Sequence, residues 1–319
     1  MVDDEANLTA SGKQDAPLAS REEFVETIGR LYDRFSDDIA GIAISIPGYI
    51  DPATGHLFGS GVYSALYGHG IVDMLKHRCP VNISVENDGK CGALAEAWKG
   101  ALADCDDGVV IILGSGVAGG VIKNRRIHSG TGFSAGELSY LITKTDDYSI
   151  MGCAYMQAGM LGMTYKICKA KGLDLSMQDS GNVLEILDEQ LHPRSVKPRE
   201  GRVQLKADGL QLFRWLEEED EVAKRVYQEF IAALAIIVHN AQIVYAPNRI
   251  VIGGGLSLQQ RIFTDLDTEL GKRYESMQIP APLRAVVRKS RFLEECNLVG
   301  AMYHYLNRFG HRPAAGSTH

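Results

Sequence analysis

The sequence lacks paired-cysteine spacings, long apolar runs and an excess of basic charge, and each absence removes a class of protein. Its six cysteines, at 79, 91, 105, 153, 168 and 296, are scattered without a C-x-x-C pair. That argues against a disulfide-stapled secreted domain and predicts reduced thiols in a cytoplasmic protein. The longest strongly apolar stretch, Phe230 to Val238, is well short of the roughly 18 residues of a membrane-spanning helix, so no membrane partner is expected. The N-terminus, Met1-Val2-Asp3-Asp4-Glu5, is acidic and has no apolar segment of the secretory kind. A formal charge of −7 and a pI near 5.7 argue against a large nucleic-acid footprint, which needs clustered Lys and Arg. No short repeat of the solenoid type is visible.

What is present suits a soluble globular chain. With 319 residues, 45% of them apolar and 23% charged, there is material for two domains with substantial cores. Ser20 and Glu23 form a capping-box signature, and Phe24, Ile28, Leu31 and Phe35 follow on one helical face. Apolar β-branched runs at 39–46, 81–85, 109–113 and 249–252 read as buried strands, and helical patterns alternate with them, which indicates α/β layers. Tyr49–Asp51 and His56–Phe58 flank Pro52-Ala53-Thr54-Gly55 as a hairpin. From Met151 the chain reads as largely helical: 151–170, 182–190, then a pair at 208–219 and 221–245. A basic loop at 192–201 separates the second of these from the pair. The polar break 104–108 is the expected domain boundary, and 310–319 is expected to be a disordered tail.

Three stretches carry chemistry. Val85-Glu86-Asn87-Asp88-Gly89 ends a strand and opens a helix that is expected to run to about residue 103, so Asp88 stands where open α/β sheets bind ligands. It suits a general base, and the alternative is that Asn87 or Asp88 only caps the helix. Gly114-Ser115-Gly116-Val117-Ala118-Gly119-Gly120 spells G-x-G-x-x-G, but a second strand, 121–127, follows it in place of a helix. A dinucleotide fold is thereby excluded, leaving a phosphate cradle on a hairpin or a bare turn. Gly253-Gly254-Gly255, after the strand at 249–252, suits close approach of a flat or phosphorylated ligand, or serves only as a loop. Glu137, among small residues, is a ligand contact or an exposed loop acid, and His128 reads as structural.

These stretches resemble a known family. Ile46-Pro47-Gly48-Tyr49-Ile50-Asp51, Val85–Asp88, Leu113–Gly120, Ala135-Gly136-Glu137 and Val251–Ser257 are similar, in order and spacing across residues 20–308, to the ROK group (repressor, open reading frame, kinase) of sugar kinases. The resemblance implies an α/β, two-lobed actin-like/ribonuclease-H-like ATPase fold with a largely helical insertion in the second lobe. It sets the lobes at 1–106 and 107–293, with helix 294–308 packing back on the first. It also implies ATP-dependent phosphorylation of a hexose or hexose derivative, at the 6-hydroxyl, with Asp88 as base and ATP and Mg²⁺ as cofactors. Gly48, Asn87 and Glu137 match sugar-holding positions, Gly114, Ser115 and Gly116 match a phosphate loop, and Gly253, Gly254 and Gly255 match the loop beside the adenosine. A homodimer is implied as well. Three departures stand out. No D-x-G-G-T-x-x-K first phosphate loop is found, so the chain is expected to start late. The family's C-x-C-G-x-x-G-C zinc motif is replaced by a stretch with Cys153 alone, so no structural zinc is expected. Tyr140 stands where the family's histidine after the Gly-Glu pair would be, which removes a zinc ligand and a sugar contact and leaves the sugar open, with Tyr140 itself a substrate-binding candidate. A sugar-binding or regulatory protein without catalysis is the alternative reading.

Overall fold

The helix α1 (Arg21–Phe35) starts where the capping box places it. Ser20 Oγ accepts from Glu23 N at 3.1 Å, while the Glu23 carboxylate reaches one residue further back than a standard box, to Ala19 N at 2.9 Å. The computed structural model describes residues 1–59, 63–172, 174–175, 204–205, 209–293 and 295–310. The helix expected at 182–190, the basic loop at 192–201 and the tail 311–319 lie outside these. The chain divides into two units: Met1–Asp106, Gly120–Gly136 and Glu294–His319 form one, and Asp107–Gly119 with Glu137–Leu293 the other.

In the first unit, β1 (Gly41–Ile46) is followed by a meander of β2 (Tyr49–Asp51), β3 (His56–Gly59) and β4 (His69–Gly70), then α2 (Ile71–Leu75). β5 (Asn82–Asn87) returns parallel to β1, with Ile46 opposite Asn87. The strand is two residues longer at its end than the expected 81–85. Glu86 and Asn87 stay in the ladder, both buried, with one Glu86 oxygen and the Asn87 amide hydrogen-bonded there. Glu86 Oε1 accepts from Asn87 N at 2.8 Å, and Asn87 Nδ2 donates to Gly48 O at 3.1 Å. The core beneath holds Phe24, Ile46, Ile50, Leu57, Leu75 and Val85.

α3 (Asp88–Lys99) follows without a loop and is buried from Gly89 to Ala97. Its small residues allow this. The C-terminal helix Cys296–Phe309 packs on one side of it, with Gly300 set against the Cys91 carbonyl and the Trp98 and Tyr303 rings stacked at 5.0 Å and 7°. Tyr305 ties the same helix to β1 by donating to Ala40 O at 3.0 Å.

The second unit is organised on β6 (Gly108–Leu113), which pairs in parallel with a later strand, Arg249–Gly253. That strand pairs in parallel with Val287–Lys289. β7 (Val117–Lys123) returns from β6 and carries the chain into the first unit, where it pairs with β8 (Arg126–Ile127). Asn124 and Arg125, at φ 50° and 63°, make the connecting two-residue turn, whose positive φ at both positions matches the twist of a tight hairpin.

The long helix expected over 151–170 is broken into a 3-10 turn, α4 (Ala154–Gln157) and α5 (Met160–Lys171). The break leaves Met160 N and Leu161 N free to donate to the carbonyls of Gly114 and Ser115, at 3.0 and 2.8 Å. Glu221–Tyr245 is a single helix, started by Asp220, whose Oδ1 accepts from Ala223 N at 2.9 Å. By length and composition it could cross a membrane, although the sequence showed only a short apolar run within it. However, 56% of its most apolar window is buried inside the structure, including Phe230, Leu234 and Ile237, so it is a core helix.

Candidate active site

Asn87 and Asp88 divide between them the roles that the sequence left open. Asn87 is the N-cap of α3: its Oδ1 accepts from Lys90 N at 3.0 Å while its Nδ2 holds the Gly48 carbonyl. Asp88 is the first helical residue and does not cap. Its Oδ1 accepts from Gly89 N at 2.8 Å, and burial pushes its carboxyl above the usual range, against the smaller opposing pull of that N–H and of the Lys90 charge. A carboxylate short of solvation at a helix start is more basic than a free one. Gly48, at φ 121°, occupies backbone space that strains any other residue, and the Asn87 bond keeps it beside β5.

Gly119 and Gly120, expected in a phosphate-cradling turn, lie inside strand β7. A Cβ on Gly120 would come within 2.6 Å of the Ala93 Cβ and 3.2 Å of both Gly89 O and Lys90 Cα. The glycine lets the first turn of α3 press against the strand, which fixes where Asp88 starts. The turn proper is only Gly114-Ser115-Gly116.

Lys90 belongs to the same first turn of α3 as Asp88, although its sequence pattern does not mark it as a site residue. It is fully buried, and its Nζ donates to Phe133 O at 2.6 Å. An ammonium out of water is costly unless hydrogen-bonded, so this contact is specific. The signal in the sequence was a lysine set among Gly89, Cys91, Gly92 and Ala93, where an exposed helix face would show more polar residues.

In the second unit, the Gly114–Gly116 turn is closed by Gly114 N donating to Gly116 O at 3.0 Å, and its carbonyls are engaged by the start of α5. Gly114 has open space on its side-chain face, as does Gly255. Gly254, at φ 83°, sits with its α-carbon against the Leu113 carbonyl, and Ser257 Oγ donates to Gly254 O at 2.7 Å. The end of β6 and the Gly253–Gly255 loop are thus packed together within this unit, with backbone open at Gly114 and Gly255, while the Tyr155 ring covers Gly116 and the Ser290 side chain lies against Gly253. That fits a bound polyphosphate. Among the described residues no group of three or more His, Cys, Asp or Glu side chains is placed to hold a metal. Mg²⁺ commonly binds through substrate phosphates with only one or two carboxylates, so this does not conflict with a metal carried by a nucleotide. Glu137 precedes a 3-10 turn, Leu138–Tyr140, which Ser139 fastens by donating to Val117 O at 2.5 Å. The Tyr140 side chain is exposed.

The fold is the actin-like, ribonuclease-H-like ATPase fold found among sugar kinases. The ROK family model matches residues 1–307, and the chain belongs to that family. It is 23% identical over 278 residues to the beta-glucoside kinase of Listeria innocua, covering 87% of this chain and 83% of that one. It is 26% identical over 302 residues to the N-acetyl-D-glucosamine kinase of Histophilus somni, covering 93% and 92%. The ROK family glucokinase of Streptomyces griseus, solved with glucose and AMPPNP, superposes with a TM-score of 0.66 at 21% identity, covering 90% of this chain and 88% of that one.

Proposed function

We propose that this protein is an ATP-dependent sugar kinase that transfers a phosphoryl group to a hexose hydroxyl, the 6-hydroxyl, with Asp88 as general base. The observation that carries the reading is the Asp88 turn: a desolvated carboxylate fixed by α3 and β7 and followed by a buried lysine, in a chain of the ROK family. Related proteins act on sugars by name, and one is solved with an ATP analogue.

Each group has a physical role. Asp88 Oδ1 is occupied by the Gly89 N–H, so Oδ2 accepts the proton of the sugar hydroxyl as its oxygen attacks the γ-phosphorus. In a loose transition state the hydroxyl proton leaves late, so a carboxylate need not be strongly basic to act as base. Asn87 sets the helix start and, with Gly48 and Glu137, holds the other sugar hydroxyls. Tyr140 contacts the sugar where a histidine is usual. The Gly114, Ser115 and Gly116 backbone holds ATP phosphates, and Gly253, Gly254 and Gly255 lie beside the adenosine. Mg²⁺ would neutralise phosphate charge as it arrives with ATP.

The test is a coupled ATP assay over glucose, N-acetylglucosamine, N-acetylmannosamine and β-glucosides. Turnover on at least one of them, above the rate of ATP hydrolysis without sugar, supports the reading. Sugar binding without turnover on any would favour a non-catalytic member of the family.

A further inference from the structure

Lys90 is wholly buried at the start of α3, and none of the roles above is assigned to it. A side chain with no exposed surface acts through its protein partners, not by touching substrate. Its Nζ donates to Phe133 O at 2.6 Å, a short, charge-assisted bond. The residue that accepts this bond has an unusual backbone. Between Ser129 and Gly136 four residues have left-handed φ: Gly130 at 66°, Gly132 at 73°, Phe133 at 63° and Gly136 at 84°. Three of them are glycines, for which such angles carry no strain. Phe133 has no such freedom. The direction of its carbonyl follows from its backbone angles, so a return to ordinary φ would swing the oxygen away from the ammonium. Leaving a buried ammonium without that acceptor costs more than the strain of one left-handed residue, so Lys90 keeps Phe133 where its own preference would not.

The loop is seated at both ends on β7. His128 N donates to Val121 O at 2.7 Å, and Ala135 N closes the loop by donating to Ser129 O at 3.0 Å. Gly136 is pressed so close that a Cβ on it would lie 2.9 Å from Gly120 Cα. The tip of the loop, Thr131–Phe133, packs on β2, which begins one residue after Gly48. The Gly48 carbonyl is in turn the one that Asn87 holds. Lys90 lies two residues beyond Asp88 on the same helix, so its bond ties the strained tip directly to the element that starts at Asp88. From this we infer that Lys90 is a positioning residue for sugar binding: its ammonium holds the Ser129–Gly136 loop in its left-handed form against the turn that carries Gly48, Asn87 and Asp88. The inference rests on the sugar-kinase reading of that turn and adds a residue that acts on the sugar through the loop.

The proteins for the test are the full chain, Lys90→Met, Lys90→Gln, Phe133→Gly and the double variant Lys90→Met/Phe133→Gly. Methionine keeps the length of the stem without its charge, and glutamine keeps a shorter, neutral donor. Replacing a buried charge by an apolar side chain of similar volume is often neutral for stability, and melting shows which of the two is folded. The readouts are hydrogen exchange of the amides of residues 129–136, sugar binding by calorimetry, and steady-state kinetics with ATP. The sugar is whichever of glucose, N-acetylglucosamine, N-acetylmannosamine or a β-glucoside the wild type binds most tightly. In Lys90→Met exchange across the loop should quicken, and Kd and KM for the sugar should rise about tenfold as the binding-competent loop becomes a minor form, with the KM for ATP unchanged. Lys90→Gln should fall between this and the wild type. Phe133→Gly alone should stay within about twofold of the wild type, since it relieves strain while losing the ring contact to the exposed Phe58. In the double variant glycine takes the left-handed angle unaided, so most of the lost affinity and protection should return, which a general loss of packing at Lys90 would not allow. Unmoved sugar affinity and exchange in a folded Lys90→Met or Lys90→Gln, or additive effects in the double variant, overturn the inference. The failures are separable. Sugar binding that weakens in Lys90→Met and recovers in the double variant, without turnover in any protein, keeps the inference and defeats the kinase reading. Wild-type turnover with an unchanged sugar KM in Lys90→Met does the opposite, and no sugar bound by the wild type defeats both.

Discussion

Gly120→Ala isolates the packing that sets the position of Asp88. Gly120 has an ordinary φ, so any residue can take its backbone conformation, and the only obstacle to a methyl group is space. The added Cβ would lie 2.6 Å from the Ala93 Cβ, whereas carbon atoms rest at about 3.5–4.0 Å. The helix α3 and strand β7 must therefore separate by roughly 1 Å. α3 has little room to retreat, because Gly300 of the C-terminal helix already sits against the Cys91 carbonyl on another side. Overpacking of this kind costs about 1–3 kcal/mol, which in a chain of this size lowers the melting temperature by roughly 2–10 °C. A displacement of about 1 Å at the reacting group is worth on the order of 100-fold in rate. Differential scanning calorimetry and the coupled ATP assay read the two effects. The double variant Gly120→Ala/Ala93→Gly removes the 2.6 Å clash but keeps the 3.2 Å approaches to Gly89 O and Lys90 Cα, so it should regain part of both losses despite the intrinsic cost of glycine in a helix. Unchanged melting and turnover in Gly120→Ala, or strictly additive effects in the double variant, would refute the reasoning.

Other outcomes follow from the same unit. Asn87→Ala loses the cap on Lys90 N and the brace on the Gly48 carbonyl and should destabilise by about 1–3 kcal/mol in urea unfolding, with a raised KM for sugar. Burial, assisted by the nearby Arg308 charge, pushes the His304 imidazole down to about 4, although the Glu86 carboxylate 3.9 Å away would alone favour the charged form. The unfolded chain then binds the proton more readily than the folded one, so stability falls as pH drops from about 6.5 towards 4. The loss is on the order of 3 kcal/mol. Urea titrations at pH 7, 5.5 and 4.5 should show this slope, reduced in His304→Gln; equal slopes would contradict it.

Much of the fold was legible because its signals are local. The capping box at Ser20 and Glu23 and the runs entering β6 and Arg249–Gly253 depend on neighbours within a few residues. What the sequence hid depends on packing. Gly119 and Gly120 look like a turn in a glycine-rich string, and only the approach of Ala93 and Leu138 shows why a strand needs them small. Glu86 reads as a strand-end acid until its bond to Asn87 N is seen. Lys90 reads as a surface lysine until helices and loops close over it. At the candidate site, the residue types and their order could be read from the chain, whereas the division of labour between Asn87 and Asp88 could not. Either residue can cap, and only the bond from Lys90 N to Asn87 Oδ1 shows which one does.

The central claim is that the Asp88 carboxylate takes the hydroxyl proton, and Asp88→Asn tests it most directly. The amide keeps the side-chain shape and can still accept from Gly89 N, but it cannot accept a proton at catalytic pH. With the sugar that the wild-type chain turns over fastest, the account predicts a fall in kcat of about 10²–10⁴-fold, the range of a lost general base, with sugar affinity by calorimetry largely kept. Turnover in Asp88→Asn within tenfold of the wild type would contradict it.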